Sequence, residues 1–520
     1  MAYSCTQYLR LPLRRGRLAR GRYRERPVFP ALPFGLLFST IAAMSRSLSR
    51  FQRLLAAYAL LYVWLHLLAQ ALPAQWAFAV YPEKLVGPGG RLDPAEWLWG
   101  VIPYTYLPGW LRWLGVGLAT AVILWAGLRQ GWTDNPRLRF PAGSRVKILI
   151  AALSLPCFYG ARVVHTRWGD AYILVNAIAH PDVRLTYNWQ APLDTYLHAR
   201  LFQLGERLWG WQDAFPAYWL LSSVAGAVAV WVLLRLAHDI GRSDAERWLI
   251  LGLMATLGAV QLFFGYPENY TLISVFILAY LWSAWQTARG RHSLWIPSIL
   301  LALALGFHPS TLVLQPSLWA LAFFTLPRPA RFADLLRRLS ALLLPPLLVI
   351  LLVVVLMSAG GHGLDSFLGA EAPGGGDHRW LVPLTQVSSD WEYYTLFSRG
   401  HLMDFINQHL LVMPFSLFLL SLVVMFRRRH LPSDAYSKTL VVAAAGYLLL
   451  TWLWNPDYGG QRDWDLFAPA AWPVTLLAAY WLTRALPSVR LAPLTITVVA
   501  AQFLPTAAWV YSNTRPWEWK

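Results

Sequence analysis

The sequence predicts an all-α polytopic membrane protein, and three observations carry that prediction. Of 520 residues, 57% are hydrophobic and only 13% charged, too few polar side chains to coat a soluble body of this size. Apolar runs of about 17–25 residues recur almost end to end, the length that crosses ~30 Å of hydrocarbon at 1.5 Å per residue. Many of the 29 tryptophans fall near the ends of those runs, where interfacial aromatic belts sit.

Taken in order, the apolar segments are 54–80, 110–128, 148–164, 215–237, 247–265, 269–288, 294–307, 310–326, 340–358, 408–426, 438–454, 466–485 and 491–510. The 294–307 run is short, and His308-Pro309 leaves two readings, two short spans or one kinked span. The expectation is about 11–13 transmembrane helices, with amphipathic helices in the extracytoplasmic loops. Residues 54–510 form one membrane domain, with a C-terminal tail at 511–520. Residues 1–53 are a basic tail. Eight arginines lie within 10–26 and a short apolar stretch follows at 34–43. That tail reads as a signal-like segment, as a plain basic tail, or as sequence upstream of a start at Met44, since Arg46, Arg50 and Arg53 already supply an inner anchor.

The net charge of +18 invites a nucleic-acid reading that topology removes. With the N-terminus in the cytoplasm and sides alternating, the inner face collects 31 of the 44 Lys and Arg and 7 of the 26 Asp and Glu. The excess lies in short loops: Arg137, Arg139, Arg145 and Lys147, then Arg331, Arg337 and Arg338, then Arg427, Arg428 and Arg429. Such a bias orients a polytopic chain and touches anionic lipid. Two cysteines, Cys5 and Cys157, exclude a disulfide framework or a cysteine metal site. No fixed-period repeat or pair of matching broken helices appears, which argues against many secondary transporters. GxxxxGK[ST], GxGxxG after a strand, HExxH and GxSxG are absent where they could work.

The same threading gathers the polar motifs on the outer face, where charge at a helix mouth is costly and marks a site. Two outer loops are long, 165–214 and 359–407. The second opens on Gly-rich stretches and is read either as a cover for a substrate or as a connector. In the first, Leu193, Tyr196, Leu197, Leu201, Leu204 and Leu208 recur at helical spacing against Asp194, His198 and Glu206, a helix that lies on the membrane surface.

Arg167-Trp168-Gly169-Asp170 heads that loop. A partly desolvated carboxylate there suits general-base chemistry; Trp168 offers a face to a sugar ring; the bland alternative pairs Asp170 with Arg167. Asp194 and His198 share a helix face, as a local salt bridge or the wall of a polar pocket. In Tyr266-Pro267-Glu268-Asn269-Tyr270, Glu268 and Asn269 either cap the next helix or bind substrate. His308 sits at a Pro break and either bonds a freed carbonyl or faces the substrate. In Arg462-Asp463-Trp464-Asp465, Arg462 has the planar fork suited to a lipid-linked phosphate. Asp463 and Asp465 hold that arginine, engage sugar hydroxyls, or contribute to a divalent-cation site that this chemistry allows but does not require.

On these motifs, across most of 148–485, the chain resembles the GT-C superfamily of integral-membrane glycosyltransferases, distantly like protein mannosyltransferases. The resemblance implies a polyprenyl-phosphate-linked sugar donor, a glycan, lipid or protein acceptor, and a cell-membrane location with an extracytoplasmic active site. It maps the catalytic base to Asp170, deprotonating the acceptor hydroxyl for inverting attack on the anomeric carbon. Two features depart from the family pattern: Gly169, not an acid, precedes Asp170, and the loop follows the third span rather than the first, with two further spans before it. A lipid-linked-saccharide flippase and a polysaccharide polymerase or ligase are the alternatives.

Overall fold

Helices form because long apolar stretches in lipid must satisfy every backbone N–H and C=O internally. The computed structural model describes residues 49–69, 98–128, 139–369, 379–389 and 391–516. Among them every regular element is helical, and one isolated bridge joins Leu381 to Trp454. The basic tail at 1–48 and the 70–80 part of the first expected span lie outside the described residues.

Among the described residues eight helices are long and apolar enough to cross a membrane: Arg50–Leu68, Gly109–Gly127, Phe215–Ile240, Tyr270–Ala288, Phe332–Ala359, Ala435–Leu453, Trp464–Ala485 and Ser488–Asn513. The protein is an all-α polytopic membrane protein. Local signals start the helices: Ser49 and Gln52 form a capping box, and the Ser243, Ser398 and Asp434 side chains accept from backbone N–H groups three residues on.

The other five expected spans are shorter or broken. Ser144–Gly160 has 17 residues, with Pro156 near its end. The 247–265 segment is not one α-helix; Asp244–Ala255 gives way to a 3-10 turn at Gly258–Phe263. Trp295–Phe307 ends where His308 turns extended before Pro309, a 3-10 turn follows, and Gln315–Phe324 completes the pair. The 408–426 segment is bent by 94° between Arg399–Val412 and the helix from Ser416, so residues 399–407 are helix rather than outer loop. Irregular backbone is tolerated at such depth because protein, not lipid, surrounds it.

Burial separates centre from rim. Trp464–Ala485 is 94% buried over its most apolar window and Phe332–Ala359 only 22%. Leu343, Leu347, Leu348 and Leu351 of the latter are exposed, a lipid-facing belt. The central span therefore begins at the Arg462-Asp463-Trp464-Asp465 motif.

The amphipathic loop helix is Pro192–Trp209, closed by Gly210 in the left-handed region (φ 68°). Its polar face is the one turned inward. Asp194, Thr195, His198 and Ala199 are buried, while Leu204 and Leu208 are exposed. A bidentate pair from Arg184 to Glu206 ties the helix to the preceding turn.

Candidate functional site

Three chain segments meet at one end of the bundle. Val163 N–H donates to the Phe264 carbonyl at 2.8 Å, and Gly169 N–H donates to the Arg462 carbonyl at 2.9 Å. Glu268 completes the junction: Oε1 accepts from Asp170 N–H, and Oε2 from Asn269 N–H at 3.2 Å. Glu268 thus reaches across the fold to the start of the Ala171–Ala179 helix, beyond the local capping the sequence suggested, and the Asn269 side chain makes no cap bond.

Gly169 is required here. Its φ of +47° is left-handed, and a Cβ would lie 2.6 Å from Glu268 Oε1 and 3.2 Å from Asp465 Oδ2. Asp170, Glu268, Asp463 and Asp465 therefore share one small volume. Helices starting at Ala171, Tyr270 and Trp464 point their N-termini at it, and their dipoles favour negative charge.

The side chains around Asp170 are specific. Its carboxylate accepts a hydrogen bond from the Tyr458 hydroxyl and lies in the field of Arg462. The Arg462 guanidinium sits 4.7 Å from the Tyr458 ring centre. Burial pushes the Asp170 carboxyl above the ordinary carboxylate range, and Tyr458 and Arg462 pull it back. Glu268 is held well above its ordinary value by burial, then by the charges of Asp465 and Asp170. Burial raises Asp463 likewise. Asp463 Oδ2 accepts from Tyr458 N–H at 2.8 Å, so this acid orders the loop under Tyr458.

The remaining expected residues form a second layer. His198 Nδ1 lies 3.0 Å from the Asp194 carboxylate, a fully buried pair, and the His198 ring stacks on Tyr218 at 3.9 Å. Tyr218 in turn feels Asp194, Glu268 and Asp170. His308 packs against Tyr270 at 4.9 Å and Nδ1 bonds Ser310 Oγ, while its Nε2 and the Asn269 Oδ1 are buried with no protein partner. Such orphaned buried atoms usually meet water or a ligand. Trp168 differs from expectation. It is buried, with Arg167 4.4 Å from the ring centre and Nε1 donating to Asn513 Oδ1, so Arg167 covers one face of the ring. Among the described residues no three His, Cys, Asp or Glu side chains are arranged to hold a metal ion.

The second long loop docks on the same motif. Asn455 donates from Nδ2 to the Trp391 carbonyl at 2.9 Å and from its backbone to the Trp380 carbonyl at 3.0 Å. The Trp391 ring stands 6.1 Å from Tyr458, edge on. Tyr458 was passed over as a site residue; the signal was present, a tyrosine inside the densest polar run between two spans. Residues 370–378 of that loop lie outside the described residues.

No family model, curated protein or solved structure matches the chain.

Proposed function

We propose that the protein is a membrane glycosyltransferase that moves a sugar from a polyprenyl-phosphate donor to an acceptor hydroxyl outside the cytoplasm. The observation that carries this reading is the juxtaposition of a carboxylate with raised proton affinity, Asp170, and the guanidinium of Arg462 at one helix mouth. Asp170 takes the acceptor's hydroxyl proton as the acceptor oxygen bonds the anomeric carbon from the face opposite the phosphate. The carbon–oxygen bond to phosphate breaks, and polyprenyl phosphate leaves with the electron pair. Arg462 meets the charge that develops there, so positioning plus one base suffices.

The donor's head lies at the membrane interface, which requires this end of the bundle to face outward. In a background with Cys5 and Cys157 replaced by Ser, an impermeant maleimide should label Asp182→Cys in intact cells, and Ser433→Cys only after permeabilisation. Both positions are exposed. The reverse pattern inverts the orientation and removes the proposed chemistry from the outer face.

Arg462→Lys keeps charge but loses the planar fork, so donor affinity should fall while the protein still folds. Unchanged donor binding in the Lys and Ala variants returns Arg462 to a structural part of the loop. Analysis of lipid carriers and glycans in a deletion strain tests the whole reading: accumulated donor or a missing glycan supports it. Purified protein that moves a lipid-linked sugar across vesicles without forming a glycosidic bond replaces it with a flippase.

A further inference from the structure

Arg235 stands at the opposite end of the bundle from Asp170. It follows Tyr218 by 17 residues on the Phe215–Ile240 helix, roughly 25 Å along the axis. Among the described residues its guanidinium makes no hydrogen bond, and its Nε is buried without a partner. Asp239 Oδ2, 4.0 Å away, is already engaged by Trp282 Nε1 at 2.8 Å and Gln286 Nε2 at 2.6 Å. The Trp282 ring, centred 5.5 Å from the guanidinium, holds it at the rim.

Further donors with unspent capacity gather round it. Phe140 packs on His238 at 6.4 Å and on Trp248 at 5.1 Å, which lays the start of the Ser144–Gly160 helix against the helices carrying Arg235 and Arg247. Lys147, 1% exposed, places one N–H on the Ala142 carbonyl at 2.7 Å and lies in the fields of Arg235 and Arg247. His238 Nδ1 is buried without a partner. Arg247 gives Nη1 to Asp244 at 2.8 Å and Nε to the Gly241 carbonyl at 3.2 Å, which leaves its Nη2 donors. Lys147, Arg235 and Arg247 thus face two acids that are both engaged, and the exposed Arg139 and Arg145 lie beside Phe140 and Lys147 in the chain. Like charges gathered by folding repel, and an anion relieves both the repulsion and the unmet N–H groups.

The face that Arg235 occupies says which anion. Val224, Val228, Trp231 and Arg235 recur at helical spacing, and Val224 and Val228 are 41% and 42% exposed on a span that is otherwise mostly buried, so the stripe faces lipid. The Arg235 side chain is 29% exposed where that stripe ends. A guanidinium there meets lipid phosphates, with acyl chains running beside the valines. Free phosphate has no use for the stripe.

We propose that Arg235, His238 and Arg247, above the buried charge of Lys147, bind the phosphate of an anionic phospholipid whose acyl chain lies along Val228 and Val224. Arg235 and Arg247 touch the phosphate from the rim, and Lys147 acts through its field. The headgroup clamps the Ser144–Gly160 helix, which leads into the Asp170 loop, to its neighbours. The site stands whether or not the other end of the bundle transfers a sugar.

The test is native mass spectrometry of the full-length protein released from detergent micelles and titrated with dioleoylphosphatidylglycerol, dioleoylphosphatidylcholine or inorganic phosphate. Wild type should hold phosphatidylglycerol about tenfold more tightly than phosphatidylcholine. Arg235→Gln should weaken phosphatidylglycerol about tenfold, the size of one lost charge-assisted hydrogen bond. Lys147→Met, which keeps the buried stem and loses the charge, should weaken it about fivefold. Arg337→Gln removes an exposed arginine from the start of the Phe332–Ala359 helix and should leave binding unchanged. Arg235 has no hydrogen bond to lose, so Arg235→Gln should fold, and thermal melts report folding of every variant. The proposal is overturned if phosphatidylcholine binds equally, if Arg235→Gln binds as wild type does, or if Arg337→Gln weakens binding as much. Displacement of the lipid by inorganic phosphate overturns it too, and makes the site one for soluble phosphate.

Discussion

Asp170→Asn should lower turnover by about 10²–10⁴-fold with donor binding nearly intact, the range a positioned base contributes. Asn keeps the size and one acceptor oxygen, so the Tyr458 hydroxyl retains a partner, and the Glu268 bond to the backbone N–H at 170 is untouched. The pH profile separates a base from a structural acid. Burial raises the Asp170 carboxyl, so the active, deprotonated form is lost below a value higher than an ordinary aspartate's, and turnover rises with pH through that limb. Tyr458→Phe removes a hydrogen bond to the carboxylate and should move the limb further up. The sign for stability is opposite: a carboxyl raised in the folded state favours folding when protonated, and that contribution fades as pH rises through its folded value. Asp182 provides the control. It is exposed in the turn after the Ala171–Ala179 helix, so Asp182→Asn should leave turnover unchanged. Wild-type turnover in purified Asp170→Asn would place the base elsewhere, with Glu268 next.

Much of the fold was legible because lipid imposes one rule on every span. Among the described residues each of the thirteen apolar segments overlaps a helix or a helix pair, the first of them over 54–68. What the rule does not fix is where a helix may break, and the breaks at His308 and Met413 depend on neighbours that cover the freed backbone. Loop-end motifs were legible for a related reason: spans ending at one face must bring Asp170, Glu268 and Arg462 within reach of one another. Their bonds were not. Glu268 receiving Asp170 N–H joins residues 98 positions apart, and no periodicity encodes it. The loop helix shows the same limit from another side. Its wheel separates leucines from Asp194 and His198, but in a membrane protein the apolar face turns to lipid and the polar face inward, so the wheel alone does not say which side meets protein.

Gly169→Ala should cost about 10²-fold in turnover although it adds one methyl group and removes no functional atom. A left-handed φ costs a non-glycine residue about 1–2 kcal/mol. Strain of that size recurs at Gly210, whose φ is +68° but whose Cβ would meet nothing within 4 Å. Gly210→Ala is therefore the matched control, carrying the backbone cost without a clash. At Gly169 the Cβ would press on Glu268 Oε1, the atom that receives Asp170 N–H, and come close to Asp465 Oδ2. Relief requires either Glu268 to withdraw, releasing the start of the Ala171–Ala179 helix, or the 168–170 turn to back away. Both displace the Asp170 carboxylate, and a displacement near 1 Å in a positioned group costs about 10²-fold. The two alanine variants should melt within a few degrees of each other while turnover separates them by about two orders of magnitude. Equal turnover in both would show that catalysis tolerates movement of the Asp170 turn, and would detach the Gly169–Glu268 contact from the chemistry.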